Sequence, residues 1–273
     1  MTSVAWAASF EAADISAMQT YEDVLVPRLF TPWARLLLDR LDLQPGDAIL
    51  DVACGPGSLT RPAAIEVGPA GRVTGVDLSP AMLAIALAKP ALPRSASIEY
   101  YRAPADRLPV ADGDFDVAAC QQGLQFFLDP AAALREMRRA IRPDGRVAIA
   151  VWAEIDHSPP FAALEGAVRE VAGDELADRY RNGPWGMPDA DRLWELLERA
   201  GFNQIRVTRE ELPLSFDSAA QLGSTLAASP IRAALDTLPA LRREQLGHAL
   251  ERSVAVNNAL QSEAVANLAF ARW

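Results

Sequence analysis

The sequence has only one lysine, Lys89, and its formal net charge is −10 over 273 residues. Its arginines are scattered among acids and form no basic stripe. A protein that binds nucleic acid relies on clustered Lys and Arg to displace the counterions of the phosphate backbone. We therefore expect no nucleic-acid partner.

Cysteine and long apolar runs are also scarce. Cys54 and Cys120 are too few for a disulfide scaffold and lack CxxC spacing, and the acids form no cluster of hard oxygen ligands, so neither structural zinc nor another metal is expected. No stretch reaches the roughly 18 apolar residues of a membrane span. Residues 1–10 lack the basic start of a secretory signal. The sequence predicts a cytosolic protein without a membrane span.

Residues 48–60, AILDVACGPGSLT, read as a buried strand that ends in an acid and runs into Gly55-Pro56-Gly57. Glycines at a strand-to-helix turn let a ligand approach the backbone, although they also occur in ordinary tight turns. A second apolar strand ends at Asp77, at about the spacing expected of a ribose-binding acid. Thr60 stands where a dinucleotide fingerprint has its third glycine, so a nicotinamide or flavin dinucleotide is the weaker alternative.

The remaining chain alternates short apolar strands with helices, which favours a mostly parallel α/β sheet covered on both faces. We predict strands at residues 48–53, 72–77, 98–102, 115–120, 146–152, 205–214 and 262–273. Helical spacing marks residues 12–41 with breaks at Pro27 and Pro32, residues 189–200 before Gly201, and a face formed by Leu134, Met137 and Ile141. We expect one domain: a helical lid (1–43), a core (44–214 and 259–273) and an insertion of two or three helices (215–258).

The strings DVACGPG and DLSP, with ADRLPVADGDFDV further along, resemble the class I S-adenosylmethionine (SAM) dependent methyltransferases. The similarity is greatest to the small-molecule branch that includes the ubiquinone and menaquinone (UbiE-like) methyltransferases, and it is close over residues 36–152. It implies a Rossmann-like seven-stranded sheet with a last strand that returns antiparallel, and SAM as cofactor with S-adenosylhomocysteine as product. The cofactor-binding residues implied are Asp51, Ala53, Gly55, Gly57, Asp77, Leu78, Met82, Ala105, Asp106, Arg107 and Gln121.

Within that set, Asp51 and the backbone of Ala53 and Gly55 would meet the amino-acid part of SAM, and Gln121 would bind its methionine part through the backbone. Asp77 would hold the ribose, and Asp106 would accept the adenine amino group. Leu78 and Met82 would supply apolar walls for the adenine.

Acceptor-binding candidates are aromatic or amide side chains near the carboxyl ends of the strands, where ligands of open α/β sheets bind. They are Tyr21, Phe30, Gln125, Phe126, Trp152 and Trp185. Residues 180–188 are predicted to form a mobile gate. His157, after the fifth strand, is the candidate general base, and His248 in the insertion is a weaker one.

The sequence therefore predicts an enzyme that moves a methyl group from SAM to a small hydrophobic or aromatic acceptor by direct in-line transfer. Three alternatives stay open: a protein that binds SAM or its product but catalyses another reaction, a nicotinamide-dependent oxidoreductase, and a non-enzymatic sensor. The methylated atom is not predicted, and either a monomer or a homodimer fits the apolar content of the insertion.

Overall fold

A computed structural model describes residues 15–229 and 231–273. Seven strands form one sheet in the order β3-β2-β1-β4-β5-β7-β6. Their bounds are β1 Ala48–Val52, β2 Arg72–Asp77, β3 Ser97–Arg102, β4 Phe115–Gln121, β5 Ile141–Trp152, β6 Asn203–Ser215 and β7 Gln261–Arg272. Strands β1 to β5 pair in parallel, and β7 is antiparallel to both β5 and β6. The predicted Rossmann-like sheet with an antiparallel last strand is confirmed.

The sheet order places a ligand crevice between β1 and β4. Chain connections run outward from β1 in one direction through β2 and β3, and in the other direction through β4 and β5. Loops that follow β1 and β4 therefore separate at the carboxyl ends of these strands, which is where open α/β sheets bind ligands. Both strands are almost fully buried, as expected of central parallel strands covered by helices.

Helices cover both faces of the sheet and also occupy the segments before β1, here called the lid, and between β6 and β7, here called the insertion. They are α1 Ile15–Thr20, α2 Thr31–Asp39, α3 Thr60–Val67, α4 Pro80–Ala88, α5 Pro130–Ala140, α6 Pro159–Ala172, α7 Asp174–Arg181, α8 Ala190–Arg199, α9 Ala219–Ser224, α10 Arg232–Asp236 and α11 Ala240–Asn257. Gly201 ends α8 with φ of +89°, as its position predicted. Ile141, predicted on a helix face, instead begins β5, because the helix carrying Leu134 and Met137 ends at Ala140.

The lid helix corrects the prediction that Pro27 and Pro32 break it. A ten-residue π-helix, Tyr21–Phe30, joins α1 to α2, and the backbone stays helical at both junctions. The N–H of Thr31 donates to the carbonyl of Val26, five residues earlier, so the wider turn accommodates Pro27. Pro32 lies in the first turn of α2, where its fixed φ suits the helical backbone. The first residues of the predicted lid lie outside the described residues.

The lid, the sheet and the insertion share one hydrophobic cluster. Trp33 and Leu37 of the lid, Ile49 of β1, Leu268 of β7 and Leu250 of α11 all belong to it. The insertion also packs against the core through α11 and α6. Burial of this continuous apolar surface holds both additions over the carboxyl ends of the strands. A second cluster on the other face of the sheet includes Leu134 and Met137 of α5.

Candidate active site

A cavity lies at the carboxyl ends of β1, β2 and β4 and spans about 1000 Å³, part of which is open to solvent. The predicted residues that line it are Ala53, Gly55, Asp77, Leu78, Met82, Ala105, Asp106 and Gln121. Sequence reasoning missed other lining residues, among them Gln122, Gly123, Phe127 and Asp129. Asp51, Gly57 and Arg107 are not among the residues that line this first cavity. The side chain of Arg107 is exposed.

The loop after β1 has the backbone geometry of a ligand-binding turn. Ala53 has φ of +60° and Gly55 has φ of +54°, both in the left-handed region. A non-glycine residue held in that region marks stored strain, which clusters at binding sites. The loop after β4 presses against this turn, because a Cβ atom on Gly123 would lie only 2.6 Å from the Cβ of Ala53. The two loops therefore pack so closely that any side chain larger than that of glycine at position 123 would disrupt the contact.

Asp77 closes β2 and points both carboxylate oxygens at backbone donors. Its Oδ2 accepts the N–H of Gly55 at 2.8 Å, and its Oδ1 accepts the N–H of Ser79 at 2.8 Å. Burial raises the pKa of Asp77, while these hydrogen bonds oppose that rise. The same carboxylate thus fixes the glycine loop and contributes negative charge to the cavity wall.

Asp51 lies behind the loop, where it is 1% exposed. Its Oδ2 accepts a 2.6 Å hydrogen bond from Oγ1 of Thr60, the first residue of α3. Burial raises the pKa of Asp51 to about 7, the hydrogen bond from Thr60 lowers it, and the nearby charge of Asp77 raises it. Through this hydrogen bond Asp51 connects β1 to α3, and it does not line the first cavity.

A second cavity of about 650 Å³ lies between the lid, the 3-10 turn Thr225–Ala228 of the insertion and α6 and α7. It shares three lining residues with the first cavity: Tyr21, Gln122 and Phe126. Five of the six predicted acceptor-binding residues line it, namely Tyr21, Phe30, Phe126, Trp152 and Trp185. Gln125 does not; its Nε2 donates to the carbonyl of Gln122 at 2.9 Å.

Aromatic residues make up half of the lining of this second cavity. Tyr21 stacks on Phe30 with ring centroids 4.7 Å apart, and Trp185 packs against Phe161 at 5.2 Å and Tyr180 at 5.5 Å. Phe161 was missed because its helix carries many apolar residues with nothing to mark this one, and Tyr180 was named only as the start of the predicted gate. In the described part of the chain, no Asp, Glu, Lys, Arg or His lines this cavity. It suits an uncharged, flat ligand.

The segment predicted as a mobile gate is packed into the wall of the second cavity. Tyr180 and Trp185 are 4% and 7% exposed. At its end, the carbonyl of Pro188 accepts a 2.6 Å hydrogen bond from Nδ2 of Asn267 in β7. The segment is therefore anchored to the sheet, and its burial does not support the predicted mobility.

Three comparisons place this geometry among known proteins. A family model described as a methyltransferase domain matches residues 50–149. A demethylmenaquinone methyltransferase of Listeria monocytogenes is 31% identical over 193 residues, which are 66% of this chain and 79% of the relative. The chain belongs to the class I SAM-dependent methyltransferases, and within them to the UbiE-like type.

Two other proteins extend the comparison across this methyltransferase chain. Nocamycin O-methyltransferase of Saccharothrix syringae is 29% identical over 246 residues, covering 84% of this chain and 85% of its own. The solved structure of phosphoethanolamine N-methyltransferase 2 of Haemonchus contortus, in complex with S-adenosyl-L-methionine, has a TM-score of 0.60 at 18% identity and covers 94% of this chain and 57% of its own. This last similarity shows a shared fold.

SAM is the cofactor of this methyltransferase family, and the first cavity fits it. Asp77, Asp106 and Asp129 line the cavity, and no Lys or Arg does so among the described residues. SAM carries a positive sulfonium and a positive ammonium group, so an acidic wall attracts it. A dinucleotide carries an anionic pyrophosphate, which the same wall would repel. The charge of the cavity therefore favours SAM over the nicotinamide alternative.

Both histidines of the methyltransferase lie away from the two cavities. His157 is in the 3-10 turn Ile155–His157 with its side chain 53% exposed, and its Nε2 is 3.8 Å from Glu154 Oε2. His248 is exposed on α11. Neither residue lines either cavity. The position of His157 on the surface therefore gives no support to the predicted general base.

The two cysteines are both free and buried. Burial raises the pKa of both thiols, so neither is a reactive thiolate near neutral pH. Over the described ranges, no group of three or more His, Cys, Asp or Glu side chains is arranged to hold a metal ion. Nor does any helix in that part of the chain have the length and apolar character to cross a membrane.

Proposed function

We propose that this methyltransferase moves the methyl group of SAM by direct in-line transfer to a small, uncharged, hydrophobic or aromatic acceptor. The observation that carries the proposal is the meeting of two unlike cavities at Tyr21, Gln122 and Phe126. One cavity has an acidic wall that suits a cationic cofactor, and the other has an aromatic wall free of charge in the described residues. Reactants held in adjoining cavities react as if at very high concentration.

The cofactor would be held by residues of the first cavity. Asp77 would bind the ribose hydroxyls with lone pairs not used by Gly55 and Ser79, and Leu78 and Met82 would contact the adenine. Asp106 would accept the adenine amino group. When bound, SAM supplies an electrophilic methyl group on a sulfonium sulfur that leaves as a neutral thioether.

The acceptor would lie in the second cavity among Tyr21, Phe30, Trp152 and Trp185. Burial raises the pKa of Tyr21 and of Tyr180, so the two phenols stay protonated and act as neutral walls near pH 7. These residues would exclude water and present one edge of a flat molecule to the first cavity. The relatives named for demethylmenaquinone and nocamycin support a small-molecule acceptor.

The cofactor assignment is tested by calorimetric titration of SAM into Asp77→Asn. An asparagine at position 77 must turn its amide NH₂ toward one of the two backbone N–H groups that now donate to Asp77. The ribose also loses a charged hydrogen-bond partner. Hydrogen bonds to charged groups are worth about 1.5 to 3 kcal/mol, so we expect SAM affinity to fall about 10- to 100-fold.

Asp144→Asn is the matched control for that titration. Asp144 is exposed and has φ of +64°, a conformation that asparagine also tolerates, and it lies at the opposite end of β5 from the site. Its SAM affinity should equal that of the wild type. Unchanged affinity in Asp77→Asn would show that the ribose site is misplaced.

A further inference from the structure

The side chain of Gln122 is buried where the two cavities meet, yet it has no hydrogen-bond partner in the part of the chain that the structure describes. It is 4% exposed and lines both cavities. Within the described residues, neither Oε1 nor Nε2 finds a donor or an acceptor. An amide that is buried without hydrogen-bond partners lowers the stability of the fold. In native proteins such groups usually bind a ligand or a water molecule.

The backbone holds Gln122 in this position independently of its side chain. Gln122 has φ of +46°, an uncommon conformation for a residue other than glycine. Its N–H donates to the carbonyl of Ala150 in β5 at 2.8 Å, and its carbonyl accepts Nε2 of Gln125 at 2.9 Å. Both backbone groups are therefore satisfied, and the strained turn is held by neighbouring elements. A residue whose strained backbone is held in place by several neighbouring elements is typical of a functional site.

A second unpartnered donor lies in the wall of the acceptor cavity. The Nε1 atom of Trp185 is buried and has no acceptor among the described residues. The hydroxyls of Thr225 and Ser229, which also line this cavity, already donate to the carbonyls of Leu222 and Leu226 at 2.6 and 2.7 Å. Among the described residues, the side-chain polar groups that this otherwise apolar cavity still offers to a ligand are thus the amide of Gln122 and the indole N–H of Trp185, besides the phenol hydroxyls of Tyr21 and Tyr180.

We propose that the amide of Gln122 orients the methyl acceptor by binding two adjacent oxygens of a flat aromatic ring, while Trp185 donates to a further polar atom. A primary amide offers one acceptor and one donor side by side in a plane. That arrangement matches a hydroxyl next to a second ring oxygen: Oε1 accepts from the hydroxyl, and Nε2 donates to its neighbour. This inference rests on the proposed function, because it identifies the acceptor class of the same site.

The test uses two stable probes, 2,3-dihydroxynaphthalene and 2-naphthol, titrated into the protein saturated with S-adenosylhomocysteine. The diol has the adjacent oxygen pair and the naphthol has only one oxygen. We expect the wild type to bind the diol about tenfold more tightly, because the second oxygen adds a hydrogen bond to a buried, otherwise unpaired amide. In Gln122→Met, which keeps the length of the side chain and removes its polar atoms, the two affinities should agree within about twofold.

The control Gln245→Met makes the same change at an exposed position of α11 and should keep the tenfold preference. If Gln122→Met does not fold, Gln122→Asn replaces it, since asparagine tolerates the left-handed backbone and its shorter amide is drawn back from the ring. We expect the preference to be lost there too.

The inference is overturned if the wild type does not bind the diol, does not prefer it, or if the Gln122 variant keeps the preference. Failure of the proposed function has a different signature, because a wild type that binds no S-adenosylhomocysteine would fail before any probe is added.

Discussion

Replacement of Asp51 by asparagine should remove a large part of the pH dependence of the free energy of unfolding. Asp51 is 1% exposed, and burial raises its pKa from the ordinary value of 3.8 to about 7. A carboxyl whose pKa is higher in the folded state contributes its stability fully below the unfolded pKa, and that contribution is lost as pH rises through the folded pKa. Wild-type stability should therefore fall between pH 4 and pH 7.

The magnitude follows from the two pKa values. Between about pH 5 and pH 6 the native state holds about one proton more than the unfolded state, which costs about 1.4 kcal/mol for each pH unit, and near pH 7 this excess falls to about half a proton. From pH 5 to pH 8 the wild type should lose about 2.5 kcal/mol through this one group. The asparagine of the Asp51→Asn variant does not titrate, and it still offers an oxygen to the hydroxyl of Thr60.

The assay is urea unfolding followed by circular dichroism at pH 5, 6, 7 and 8 for the wild type, Asp51→Asn and the exposed control Asp144→Asn. All other titratable groups in the region of Asp51 are common to the three proteins, so the difference between curves reports Asp51 together with its coupling to the charge of Asp77. We expect the wild-type and control curves to run parallel and the Asp51→Asn curve to be flatter. Parallel curves for all three proteins would refute the reasoning, because Asp51 would then be ionised in the folded state throughout this range.

Three further substitutions and one control test other parts of the structure. Gly123→Ala should weaken SAM binding and destabilise the fold by about 1 to 3 kcal/mol, because its Cβ would lie 2.6 Å from that of Ala53. Gly166→Ala, in the interior of α6 with no atom within 4 Å of the added Cβ, should instead stabilise the fold by about 0.5 to 1 kcal/mol in the same urea unfolding assay. Equal effects of the two changes would contradict the crowding argument. Lys89 pairs with Glu22 at 2.7 Å and donates to the carbonyl of Pro56 at 2.8 Å, so it ties the lid to the glycine loop. Lys89→Met should speed hydrogen exchange over Tyr21–Phe30 and weaken SAM binding several-fold, whereas unchanged exchange there would show that the lid is held elsewhere. His157→Asn should leave kcat/KM for methyl transfer within about twofold of the wild type, and a loss of tenfold or more would restore the histidine as a candidate base.

The sheet was predictable because central parallel strands bury both faces and read as short apolar runs between turn residues. The start of β5 was predicted five residues late, at Arg146 instead of Ile141. This early part contains Pro143, Asp144 and Gly145, which indicate a turn when read without their neighbours. The lid was predicted as a helix, but its prolines were taken as breaks. A single sequence does not show that the helix widens into π geometry to accommodate Pro27.

The parts of the candidate site whose backbone is fixed by a sequence motif were predictable. The parts that depend on the direction in which a side chain points were less so. The glycine loop and Asp77 followed from spacing, and the structure brings them together. In the run from Gln121 to Gln125 the sequence offers three similar amides, and the structure shows that Gln122, whose φ is positive, is the one that lines both cavities. His157 was placed near the site by its position after β5, although the turn that follows carries it to the surface.

The most direct test of methyl transfer to an uncharged acceptor uses SAM with a tritiated methyl group. The protein is incubated with this SAM and a panel of neutral ring compounds that carry one or two hydroxyls, and the organic phase is counted after extraction at neutral pH. We predict organic-soluble tritium with at least one hydroxylated ring, matched by S-adenosylhomocysteine release and reduced at least tenfold in Asp77→Asn at subsaturating SAM. Tight SAM binding without labelled product from any neutral ring, or label transferred only to charged, water-soluble acceptors, would contradict the account.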